Sequence, residues 1–287
     1  PVPRVAAIAA IAVVNFVTDA SPDVVIKHST QLFTSLQRLF ASSVVKVQEA
    51  AITATTALLD VARSTFEPFY DAYVPYLKTI LRNAKQKEYR LIRGKAMECL
   101  TFAGIAVGKQ RFAADALEVL NEMLATKLDA DDPQIAYLQS AFGTLSECLG
   151  SDFVPFLPTV LPPTLALATQ KAEVEIAGES VPDGWETVEL SDHTLAIHTA
   201  ALEDKASAIH ILSVYASNLG VGFLPYVEQC LTIALANIDF PYHDMVRGNA
   251  YMLLSYLLHN LAAAVKGGAA PAARLLEAFQ AAVHSVC

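Results

Sequence analysis

One arrangement of residues recurs along the chain and decides what it can fold into. Ile92, Ala96, Cys99, Leu100 and Ala103 stand at offsets 0, 4, 7, 8 and 11, which is a single stripe of an α-helix at 100° per residue. The same offsets give Val5, Ala9, Ala12, Val13 and Phe16, then Val47, Ala51, Ala54, Thr55 and Leu58, and then Gln134, Leu138, Ala141, Phe142 and Leu145. They return at Asp204, Ala208, Ile211, Leu212 and Tyr215 and at Val246, Ala250, Leu253, Leu254 and Leu257. The starting positions 5, 47, 92, 134, 204 and 246 are separated by 42, 45, 42, 70 and 42 residues, so a single insertion of about 28 residues restores one period.

A second helix precedes each later one and has its own entry signal: Phe66-Glu67-Pro68-Phe69, Phe112, Phe153-Val154-Pro155-Phe156 and Phe223-Leu224-Pro225-Tyr226. Proline early in a helix costs little because its missing N–H lacks a partner there anyway, and a Phe just ahead can staple the first turn. Each unit is therefore a helix A, a turn and a helix B. Two helices in a period of 40 to 47 predict an all-α HEAT-repeat α-solenoid, with A helices outside and B helices lining the concave side. Asp244 ahead of Arg247, and Arg93 and Lys205 one residue into their B helices, fit the Asp and Arg ladder of such repeats. The boundaries read as repeats over 1–171, an insertion over 172–203 and repeats over 204–287, beginning inside a B helix and ending in an A helix.

Charge and motif content narrow the function. Twenty Lys and Arg against 29 Asp and Glu leave a net charge of −9, so the chain lacks the basic excess of a nucleic-acid binder and favours basic partners. The apolar run 5–14 is too short to span a bilayer, and no membrane partner is expected. Cys99, Cys148, Cys230 and Cys287 lie at least 49 residues apart, which predicts neither a disulfide framework nor a metal site. No phosphate-binding loop, nucleophile elbow or zinc-protease motif is present, so no catalytic residue, metal or cofactor is expected.

Two places remain as contact surfaces. The insertion carries Glu173, Glu175, Glu179, Asp183, Glu186, Glu189 and Asp192 with no Lys or Arg from 172 to 192, and it holds Trp185, the only Trp. Such a composition fits a solvated acidic loop, and it equally fits an arm for a basic partner anchored by Trp185 with Asp183 and Glu186 beside it. Repulsion among these acids predicts that 173–192 lacks fixed structure without a partner. On the B helices, offsets 2, 6, 9 and 13 oppose the core stripe. They hold Glu49, Thr53, Thr56 and Asp60, then Glu98 and Thr101, then Ser140 and Glu147, with Asn15 flanking the same face one helix earlier. The result is a polar, net acidic stripe.

The stretch 66–109, FEPFYDAYVPYLKTILRNAKQKEYRLIRGKAMECLTFAGIAVGK, closely resembles the central repeats of importin-β family karyopherins of the importin five (importin beta-three) branch. The turn Asp131-Asp132-Pro133-Gln134-Ile135, the Asp183-Gly184-Trp185-Glu186 of the insertion and the turn Tyr242-His243-Asp244-Met245-Val246-Arg247 agree in order and spacing. The resemblance implies nuclear import, with shuttling between cytoplasm and nucleus. It implies basic cargo with Lys-rich signals on the concave surface, Phe-Gly nucleoporins between outer helices, release by the Ran GTPase in its GTP form, and no cofactor. It assigns Asn15 to a Lys-binding position and, beside it, Asp19, Asp60 and Glu98. Ala57 stands where the next helix would repeat Asn15, so an unbroken Asn ladder is not implied. A HEAT scaffold subunit that organises a phosphatase or a vesicle coat is the alternative. It would use its turns rather than its inner face and would ignore Ran.

Overall fold

The computed structural model describes residues 2–126, 128, 132–171, 174–176, 185–189, 194–241 and 243–286. They form two compact units, 1–149 and 150–287. In the first, B helices α1 (Pro3–Asp19), α3 (Val45–Val61), α5 (Arg90–Val107) and α7 (Gln134–Leu149) alternate with A helices α2 (Pro22–Phe40), α4 (Tyr70–Asn83) and α6 (Lys109–Leu124). The second has A helices α8 (Leu157–Ala168), α10 (Val227–Leu235) and α12 (Ala272–Val286), and B helices α9 (Thr199–Leu219) and α11 (Asp244–Lys266). Successive B helices pack side by side, α1 on α3, α3 on α5, α5 on α7 and α9 on α11, and each of α3, α5, α7, α9 and α11 also packs on the A helix that precedes it. The all-α HEAT architecture read from the period is the architecture found, apart from a small sheet inside the insertion.

Core positions follow the template closely in α3, α5 and α11, where all five offsets are buried. Leu138 in α7 is only half-buried and Asp204 in α9 is exposed. The template misplaces α1. Val5, Ala9 and Ala12 are exposed, while Ala6, Ala10 and Val17 are buried, one residue later. Alanines on both sides of the stripe let the pattern fit two registers, and among the described residues only α2 and α3 pack strongly on this helix to choose between them. The staple aromatics Phe66, Phe112, Phe153 and Phe223 are each fully buried.

Aromatic packing fixes the first A helices. Phe33 and Phe66 lie 5.2 Å apart by ring centroid and Phe40 and Tyr73 4.9 Å apart, and the Tyr76 hydroxyl donates to the Phe40 carbonyl at 2.7 Å. Between α4 and α6 the junction is polar. Asp115 accepts from the Tyr70 hydroxyl and from Lys78 Nζ, each at 2.6 Å, and Glu118 takes Lys78 and Arg82.

The basic ladder has a definite role. Residues at offset 1 of four B helices donate to carbonyls at or just beyond the C-terminus of the preceding A helix: Gln48 to Phe40 O at 3.2 Å, Arg93 to Leu81 O at 2.9 Å, Lys205 to Ala168 O at 2.8 Å and Arg247 to Phe240 O at 2.8 Å. A cation there satisfies unpaired carbonyls and complements the negative end of the helix dipole. In α7 offset 1 is Ile135, which cannot donate. Arg93 of the repeat before reaches across to Thr126 Oγ1 at 2.7 Å and to Gln134 Oε1 at 3.4 Å, while Asp132 accepts from the Gln134 backbone N–H and pairs with Arg90 at 3.0 Å.

The B helices α5, α7 and α9 end on glycines in the left-handed region, Gly108 (φ 79°), Gly150 (φ 56°) and Gly220 (φ 50°). Gly104 serves a different purpose, since a Cβ there would lie 2.4 Å from the Phe112 ring. Gly104→Ala should therefore destabilise the first unit by about 2 kcal/mol, read as a lowered midpoint in urea, because the ring has no room to retreat in a packed core.

Pro162 and Pro163 lie inside α8, which runs through both; burial of Val160, Leu161, Thr164, Leu165 and Ala168 holds the helix despite the missing N–H groups. Helix α9 begins at Thr199, within the span read as the insertion. The expectation that 173–192 lacks fixed structure is corrected, since strands form within it. Val174–Ile176 (β1), Trp185–Glu189 (β2) and Thr194–His198 (β3) form an antiparallel sheet in the order β1, β3, β2. The central strand is free of acids, so Glu175 faces Ala196, Glu186 faces Ile197 and Glu189 faces Thr194 in register. No two like charges are cross-strand partners, and the β-branched content of all three strands favours pairing. The rest of 173–192 lies outside the described residues.

Candidate functional site

The B-helix face of the first unit brings some of the sequence-derived residues together and leaves others apart. Near the middle of α3 and α5, Glu49 and Glu98 are half-buried, and Lys95 of α5 donates from Nζ to Thr53 Oγ1 of α3 at 2.9 Å. Tyr137 of α7 reaches over α5 because Gly94 leaves space for it; a Cβ on Gly94 would stand 2.6 Å from the ring. Its phenol is pushed up by burial and then by the charges of Glu98 and Glu49, which places both carboxylates within its field. Burial raises the Glu98 carboxyl above the ordinary glutamate range, and Lys95 partly offsets the shift. Glu49, Thr53, Lys95, Glu98 and Tyr137 are one cluster.

A second cluster lies at the C-terminal ends of the same helices. Arg63, just beyond α3, contacts Asp60 at 3.4 Å and Glu147 of α7 at 3.8 Å. All three side chains are about half exposed, so each pair contributes only about 0 to 1 kcal/mol to stability and opens at little cost. Asn15 and Asp19 are exposed on α1 and belong to neither cluster. Thr101, read as part of the stripe, is fully buried, with its hydroxyl donating to Glu98 O within its own helix.

Sequence reasoning missed Lys95, Arg63 and Tyr137. Lys95 precedes Glu98 by three residues and Arg63 follows Asp60 by three, the spacing at which neighbours on a helix surface meet, so the two cations were legible. Tyr137 was not, since only the stacking of α7 on α5 brings it in. In the second unit, half-buried Trp185 opens β2 opposite His198, with Glu186 next to it; Asp183 lies outside the described residues. A groove of about 470 Å³ runs between A helices α8 and α10, walled by Leu157, Leu161, Pro162, Leu165 and Tyr226. Among the described residues no group of three His, Cys, Asp or Glu side chains is arranged to hold a metal ion.

Stacked helix pairs with a polar B-helix face in the first unit and a groove between A helices α8 and α10 in the second define a HEAT-type array. Residues 7–232 match the family described as importin subunit beta-1-like, TPR repeats, and the chain belongs to this importin-β family. It is 36% identical over 272 residues to importin subunit beta-3 of Saccharomyces cerevisiae, covering 91% of this chain and 25% of that protein. The crystal structure of Kap121p bound to Ste12p matches with a TM-score of 0.83 at 33% identity over 99% of this chain and 27% of that one. Kap121p bound to Nup53p matches with a TM-score of 0.79 at 35% identity, over 92% and 26%. The chain thus spans about a quarter of the length of these relatives.

Proposed function

We propose that this chain is part of a nuclear transport receptor, and that the B-helix face of its first unit contributes to holding Lys-rich signals of basic cargo. The observation that carries this reading is that the face already holds cations. Thr53 accepts the Lys95 ammonium beside Glu98, and Asp60 and Glu147 share Arg63 through weak, half-exposed pairs. Acceptors that hold the chain's own Lys and Arg in this way can exchange them for cargo lysines at small net cost, because charge-assisted hydrogen bonds are lost and regained together. Glu49, Asp60, Glu98 and Glu147 are the acidic acceptors in this reading, and Asn15 and Asp19 extend the path onto α1. The net −9 adds long-range attraction that falls with salt.

Burial sets a pH dependence. Glu98 protonates at a higher pH than an ordinary glutamate, and the neutral acid gives up its attraction for an ammonium. Signal binding should therefore weaken as pH falls, beginning above the usual carboxylate range, and Glu98→Gln should remove that part of the dependence. Affinity for a Lys-rich peptide measured by anisotropy across pH checks both.

Kap121p bound to Ste12p and Kap121p bound to Nup53p are the precedents for protein contacts on such an array. For this chain the α8/α10 groove, about 470 Å³ in volume and lined mainly by apolar side chains with Thr169 and Gln229 among them, suits a Phe side chain of a Phe-Gly segment, and Leu161→Glu should weaken such binding. Release by RanGTP and shuttling between cytoplasm and nucleus complete the proposal. The test is to add RanGTP to a basic cargo captured on the full-length protein. A receptor lets go; a scaffold subunit holds on.

A further inference from the structure

We infer that Lys95 is a resident competitor for signal lysines, its ammonium seated on the α3/α5 cluster where the ammonium of a cargo lysine would bind. This deepens the proposal that the B-helix face takes Lys-rich signals and rests on it. Lys95 of α5 is half-buried and donates from Nζ to Thr53 Oγ1 of α3 at 2.9 Å. The Thr53 hydroxyl gives its own proton to Glu49 O at 3.0 Å, so it turns lone pairs toward the ammonium and can only accept from it. Glu49 precedes Thr53 by four residues on α3 and Glu98 follows Lys95 by three on α5, which puts both acids on the helix faces that meet at this bond. Burial pushes the Glu98 carboxyl up and the Lys95 charge partly holds it down, so the field of the ammonium reaches that acid.

The seat is filled but loosely held. An ammonium carries three donors, and among the described residues Lys95 uses one of them, on a neutral hydroxyl, with no ion pair. Lys78 in the A layer is the contrast, since it joins Asp115 at 2.6 Å and pairs with Glu118 as well. Lys78 is fixed by carboxylates, whereas Lys95 can be displaced by an ammonium that reaches Glu49 or Glu98 directly. While it stays, Lys95 cancels one of the two acidic charges of the cluster and repels an incoming cation. Its flexible four-carbon stem lets it swing aside. Arg63 has a weaker part at the second cluster, because it is half exposed and its contacts with Asp60 and Glu147 are 3.4 and 3.8 Å long. A resident cation of this kind keeps affinity below that of the bare acids and refills the seat as cargo leaves.

The test is the affinity of the full-length protein for a ten-residue peptide of alternating Lys and Thr, read by anisotropy. Lys95→Met keeps an unbranched stem without the charge and should bind at least about threefold tighter, and Lys95→Gln should do the same. Lys95→Arg keeps the charge and should not show the gain. Lys87→Met, at an exposed position between α4 and α5, changes the net charge equally and should alter affinity by less than about twofold. The gain from Lys95→Met should disappear in E49Q/E98Q. A gain of the same size from Lys87→Met, or one that persists without the two acids, is long-range charge alone and overturns the inference. So does unchanged or weaker binding by both Lys95→Met and Lys95→Gln. If Glu98→Gln still weakens binding in that case, the reading of this face as a signal site stands without the competitor. If N15A/D60A/E98A leaves affinity unchanged as well, both fall.

Discussion

Leu100→Asp is expected to remove the cooperative folding of the first unit. Leu100 is fully buried in α5, which packs on α3 and α7 within the B layer and on α4 and α6 across the repeat. A carboxylate there would have no partner, and the change combines lost apolar burial with an uncompensated charge, a cost above about 4 kcal/mol. Because repeats draw stability from their neighbours, the loss should spread to α3 and α7. Loss of the unit's unfolding transition by circular dichroism checks it; a transition shifted by less than about 1 kcal/mol would mean that α5 is not the centre of the stack.

Arg93→Met should have the next largest effect, about 3 kcal/mol. Arg93 is 6% exposed, and its guanidinium joins the end of α4 to the loop after α6 and the start of α7 through Leu81 O, Thr126 Oγ1 and Gln134 Oε1. Burial pulls it below the usual arginine range, and the charges of Glu122 and Asp132 counter that. Methionine fills the volume but leaves a C-terminal helix carbonyl and two polar side chains without their donor. Urea unfolding of the substituted chain measures the cost. Arg93→Lys should recover only part of it, since one ammonium cannot span all three acceptors.

How far the sequence carried the account differed from place to place, for physical reasons. The helix pairs were legible because a repeated apolar stripe has only one economical packing, and Ile92, Ala96, Cys99, Leu100 and Ala103 are buried as the offsets require. The register of α1 was not legible, because alanine on adjacent positions makes the stripe ambiguous and tertiary contacts choose. The sheet escaped notice because net charge in 173–192 outweighed short β-branched runs, and the neutral strand that separates the acids lies just outside that stretch. In the candidate site the acids were found and their neighbours were not. Acidic residues announce themselves by type, whereas Lys95, Arg63 and Tyr137 matter through where α3, α5 and α7 place them.

The claim that the B-helix face takes Lys-rich signals is tested most directly by the affinity of such a peptide for full-length protein carrying Asn15→Ala, Asp60→Ala and Glu98→Ala together. Acceptors on successive B helices are spaced roughly 10 Å apart, which suits an extended peptide, and each exposed contact alone contributes too little to read. Titration calorimetry at two salt concentrations should show at least about a tenfold weaker affinity, some 1.4 kcal/mol, with a shallower salt dependence than the unsubstituted protein. Unchanged affinity at both salt concentrations would contradict the account and place the signal on repeats outside this chain.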